Sequence, residues 1–181
     1  MVKHFKRLKA DFRQYLLIAF VSEIVFAVVY ILTAIINAAV VVNANLPSGH
    51  AFTHFSEFPI GAAAVLIILY IVVIVAVILA LVFGIKAAIA ANHLSKHFAQ
   101  FSFHVASKSN VTQPQLIKIS NTISELQKLF VLTLLSLFLG FILTAVVVGT
   151  YQKILVRAEL LMVELEVVEN PEQPELLSEQ K

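Results

Sequence analysis

Three long apolar runs decide what this chain can fold into. Residues 16–42 carry Glu23 as their only charge, and residues 60–85 and 129–152 carry none. A helix needs about 20 apolar residues to cross a bilayer, so each run is long enough. The runs are rich in β-branched residues such as Val72, Val73, Ile74 and Val75. In water that favours strand. In lipid an isolated strand leaves its backbone groups without partners, so helix is expected. Val42-Asn43-Ala44 has the look of a signal-peptide cleavage site, but the run before it far exceeds the ~7–15 residues of a signal core. It is read as a retained span.

Composition agrees. The 181 residues are 60% hydrophobic and 13% charged, against about 45–50% and about 25% in soluble domains. That excludes a water-soluble enzyme and intrinsic disorder. With no cysteine, disulfides, thiolate metal sites and a cysteine nucleophile are excluded. The expected fold class is an all-α integral membrane protein with three transmembrane helices, the second and third extended into a cytoplasmic helical hairpin over residues 86–128. Residues 1–153 form the membrane domain, and residues 154–181 form an acidic extracytoplasmic tail, disordered at its end beyond Pro171 and Pro174.

Charge sets the orientation. Lys3, Lys6, Lys9, Arg7 and Arg13 precede the first run, residues 43–59 hold no Lys or Arg, and residues 86–128 hold five lysines. The positive-inside rule then places the N-terminus in the cytoplasm and, after three crossings, the C-terminus outside a plasma or inner membrane. Lys153 and Arg157, close to the third run, pull the other way.

The soluble parts read as amphipathic helices. Phe5, Leu8, Phe12, Tyr15 or Leu16, and Ala19 share one face of residues 3–19, with the cations opposite. This is either a basic helix lying on an anionic inner leaflet or a flank that merely fixes topology. Leu94, Phe98, Phe101 and Val105 hold one face before a turn ahead of Pro114. Leu116, Ile119, Ile123, Leu126 and Phe130 then form a seam. Beyond residue 152, Leu155, Leu161, Met162 and Leu165 give a partial apolar face.

Small residues mark packing. Ala76, Ala80, Gly84 and Ala88 recur every four residues in the second span, and Ser136, Gly140 and Thr144 repeat the theme in the third. Such stripes let helix backbones approach closely in lipid, within one chain or between subunits. Glu23, with Tyr30, Thr33 and Asn37 near the same face, is a candidate polar site. Either Glu23 sits at the inner interface, with residues 24–42 as the span proper, or it lies deeper, protonated or bonded to hydroxyls such as Thr133 or Ser136. His50, His54 and Glu57, and His93, His97 and His104, have helical spacing for a metal ion. Without the His-Glu-x-x-His arrangement, satisfied or solvated imidazoles are the simpler reading.

No nucleophile elbow, phosphate loop or intramembrane carboxylate pair is present, and no proline breaks a span. Catalysis and cofactors are not expected, and the cations lack a nucleic-acid pattern. The expected function is an accessory, assembly or regulatory subunit that associates through its helices with another membrane protein or with itself. The alternatives are a homo-oligomeric channel or permease with Glu23 lining the path, and, third, a membrane enzyme using the histidine clusters.

Overall fold

The computed structural model describes residues 2–44, 60–108 and 111–169. They form four helices: α1 (Val2–Ala44), α2 (Ile60–Lys108), α3 (Gln113–Leu139) and α4 (Phe141–Glu169). No strand occurs among the described residues. The all-α expectation holds. All four helices are long and apolar enough to cross a membrane, so the count of three transmembrane helices is not matched.

The difference lies in the third run. Residues 129–152, expected as one straight span, break at Gly140, the only described residue with a positive φ. Its φ of 68° and ψ of −153° fall in a region open essentially to glycine alone. The Gly140 N–H donates to the Ser136 carbonyl at 2.8 Å, closing α3, and the Gly140 carbonyl accepts from the Leu143 and Thr144 N–H groups, opening α4. The chain folds back on itself there. Arg157 meets Glu125 at 2.6 Å and Lys118 meets Glu164 at 3.6 Å, the register of an antiparallel pair. Nothing in local hydropathy resists this turn, because both arms are apolar.

At the other end of α3 the turn falls where expected. Pro114 sits in the first helical turn, where its missing N–H costs nothing. The Gln115 side-chain oxygen accepts from the Thr112 N–H at 3.0 Å.

The chain divides into two compact units. The first comprises Met1–Leu17 and Phe83–Lys181. Its core draws on all four helices: Phe5, Phe12 and Leu16 from α1, Leu94, Phe98 and Phe101 from α2, Leu126 and Leu129 from α3, and Leu155, Met162 and Leu165 from α4. The apolar face of residues 3–16 is therefore packed against protein. Phe12 meets Tyr151 edge-on at 5.8 Å, and Phe5 lies 6.5 Å from Phe98. α4 runs through residue 153 without interruption, so its later apolar residues belong to this core.

The second unit, Ile18–Val82, holds the most apolar stretches of α1 and α2, with Glu23 the only charge among its described residues. Among its described residues only small or hydroxylated side chains such as Ser22, Thr33 and Ala76 are buried, and large aliphatic residues point outward. That pattern inverts a water-soluble fold and suits a lipid solvent.

Candidate functional site

Four sets of residues were candidates for function. The small-residue stripe of α2 is mostly consumed within the chain. Ala76 is buried in the second unit, where it lines a groove with Ser22 and Val25. Ala88 is buried in the first unit. Gly84 faces Leu137 of α3 so closely that an added Cβ would displace that side chain. Ala80 alone remains half-exposed. The fold divides the companion stripe. Ser136 and Thr144 are buried on different helices, and Gly140 between them is the turn, not a packing surface.

The polar strip of α1 is partly satisfied by its own backbone. The Thr33 hydroxyl donates to the Val29 carbonyl at 2.8 Å, and Ser22 does the same to Ile18. Asn37 donates its side-chain amide to the Tyr70 hydroxyl at 3.4 Å. Tyr30 stacks on Phe26 and is 60% exposed. Glu23 is half-buried, with Oε2 shielded. The hydroxyls of Thr133 and Ser136 donate to the Leu129 and Thr133 carbonyls in their own helix.

Of the histidines, His50, His54 and Glu57 lie outside the described residues. His93 is exposed, and the ring beside His97 is that of His4, 4.9 Å away on α1. His97 Nδ1 is buried without a hydrogen-bond partner. Burial first, then the neighbouring His4 and the terminal amine, hold the His97 pKa below its ordinary value. Among the described residues no cluster of three or more metal-ligating side chains occurs.

An ion-pair system escaped the sequence reading. Lys9 donates to Glu159 at 2.6 Å, and Lys6 lies 3.6 Å from the same carboxylate. The Lys9 hydrogen bond is the main cause holding the Glu159 pKa below its ordinary value; burial opposes it, and the charges of Lys9 and Lys6 add to it. Lys6, Lys9, Arg13, Gln14 and Glu159 line a shallow groove. Nearby, Lys86 Nζ lies over the rings of Phe83 and Tyr15 at 5.2 and 5.8 Å. No spacing rule relates Lys9 to Glu159. The available hint was that residues 3–16 and 155–165 each carry an apolar face needing a partner.

With this arrangement in hand, comparison with known proteins returns no relative: no family model, curated protein or solved structure matches the chain.

Proposed function

We propose that the chain is a small multi-pass membrane protein with a cytoplasmic N-terminus, acting by helix–helix association as an accessory, assembly or regulatory subunit. It has no catalysis of its own. One observation carries the reading. The described residues of Ile18–Val82 offer two helices, and their outward faces are almost wholly large aliphatic side chains, among them Val21, Ile31, Ile35, Ile67 and Ile74. Two such helices leave most of their surface to lipid or to the helices of another protein. The half-exposed Ala80 offers a place for close approach on that surface.

The test is extraction from the native membrane in mild detergent, followed by the mass and composition of the complex. Co-purification with a different membrane protein in fixed ratio, weakened by Ala80→Leu with insertion intact, is the expected result. A chain that runs as a lone monomer at every detergent level would sink the proposal.

The channel reading keeps one supporting observation. Tyr30 is 60% exposed two helical turns from Glu23 on α1, so copies in a ring would present both along one path. A closed ring of this chain alone, with ion flux in reconstituted vesicles that Glu23→Gln abolishes, would favour it.

A further inference from the structure

In each helix of the first unit the lysines and arginines end at one shared level. Lys86 of α2 covers Tyr15, two residues from Arg13 of α1. Phe12, beside Arg13, meets Tyr151, two residues from Lys153 of α4. The Glu125–Arg157 and Lys118–Glu164 pairs set the α3–α4 register, which brings Lys128 opposite the residue after Lys153. Arg13, Lys86, Lys128 and Lys153, one from each helix and all exposed, thus form a belt about one helical turn deep. On one side of it lie the charged residues Lys9, Lys96, Glu125 and Arg157. On the other, residues 129–139 of α3 and 141–152 of α4 carry no charge.

Those two arms hold eleven and twelve residues. At 1.5 Å per residue they reach about 16–18 Å, roughly half of a ~30 Å hydrocarbon core. Their tip is apolar and bare, with Phe138 at 81% and Ile142 at 78% exposure. Backbone at membrane depth is tolerated when its groups are satisfied, and the Gly140 turn satisfies them through Ser136, Leu143 and Thr144.

We infer that the α3–α4 hairpin is a wedge seated in one leaflet. Its tip lies among acyl chains, and the four cations lie at the level of anionic lipid phosphates. The wedge enters and leaves on the side of the N-terminus, so both ends of the chain share that side. This replaces the outward tail expected from three crossings. It also gives Lys153 and Arg157 a place among the inside cations, where the positive-inside rule wants them. The inference rests on the membrane reading above and is independent of any partner subunit.

The chain lacks cysteine, so single-cysteine variants report cleanly. Lys3→Cys, Ser48→Cys, Ile142→Cys and Ser178→Cys are treated with a membrane-impermeant maleimide, in intact cells and after permeabilisation. The inference expects Lys3→Cys and Ser178→Cys to behave alike, and opposite to Ser48→Cys, with Ile142→Cys unmodified until detergent is added. Ser178→Cys labelled from the face opposite Lys3→Cys restores three crossings and overturns it. Ile142→Cys labelled from the face that labels Ser48→Cys means that the hairpin crosses fully, and also overturns it. If Lys3→Cys and Ser178→Cys are both labelled in intact cells, the proposed orientation fails but the shared side stands. In purified protein in vesicles of zwitterionic and anionic phospholipid, a fluorophore on Ile142→Cys is expected to lose at least half its emission to nitroxides on the acyl chains. Absence of that quenching, as when protein covers the tip, removes lipid as the occupant.

Discussion

Lys9 on α1 donates a 2.6 Å hydrogen bond to Glu159 on α4 across a separation of 150 residues, and both side chains are less than one-third exposed. The bond joins the first helix to the last beside the aromatic contact of Phe12 with Tyr151. A double-mutant cycle with Lys9→Met and Glu159→Gln in detergent is expected to give a coupling of about 1–2 kcal/mol, above that of a fully exposed pair and below that of a fully buried one. Additive effects of the two substitutions would show that the bond contributes no coupling.

Acid is expected to weaken the first unit in two stages. His97 and Glu159 both have folded pKa values below their ordinary ones, which are 6.5 and 4.5. The unfolded chain therefore binds more protons in each window, and stability falls as pH falls. The His97 contribution is present above about pH 6.5 and is lost as pH drops through the lowered folded value. The Glu159 contribution is present above about pH 4.5 and is lost below its own lowered value. Thermal melts against pH check this. His97→Leu should flatten the first stage while leaving the second, and Glu159→Gln should do the converse.

Gly140 and Gly149 should respond in opposite directions to alanine. Neither has an atom within 4 Å of where a Cβ would stand, so sterics do not separate them. Gly140 has a φ of 68°, whereas Gly149 lies in the α4 interior. Gly140→Ala is expected to cost about 1–3 kcal/mol through backbone strain. Gly149→Ala is expected to stabilise by roughly 0.5–1 kcal/mol through helix propensity. Equal effects in unfolding titrations would contradict the turn.

At Gly84 the crowding atom is the end of the Leu137 side chain, which has rotamers to move into. Gly84→Ala should therefore cost less than about 1 kcal/mol. Gly84→Leu should cost about 1–3 kcal/mol, as overpacked cores do. Leu137→Ala should recover part of that loss. Recovery places the contact within the chain; a Gly84→Leu defect confined to partner binding would place it between chains.

Phe12→Ala and Phe98→Ala remove fully buried rings from the four-helix core. Each is expected to cost about 3–5 kcal/mol. Phe103, on the same helix as Phe98 but 80% exposed, should be silent when replaced. Melting temperatures of the three variants in one detergent make the comparison.

Much of the fold was legible because the signals were local. Residues 60–85 read as a helix from hydropathy alone, and the turn before Pro114 read from its residue types. The faces of residues 5–16, 94–105 and 116–130 read from helical spacing, and they meet in one core except at Leu116, which is exposed. The candidate site was less legible. Ala76, Gly84 and Ala88 are small where helices approach, yet spacing does not say which neighbour fills the gap, and at Gly84 it is Leu137. His97 was paired by spacing with His93, whereas its ring neighbour His4 lies on another helix.

By itself the sequence determined that this protein is helical, where its apolar stretches begin and end, and which faces must be covered. These follow from the transfer free energy of each side chain and from the need to satisfy backbone groups in lipid, and both act residue by residue. Only the tertiary structure decided that residues 129–152 fold back instead of running on. A glycine in an apolar run permits a straight helix and a reversal alike. The choice at Gly140 falls to the packing of Leu126 and Leu129 beside Leu155 and Met162, and to ion pairs such as Glu125 with Arg157, whose members are distant in sequence.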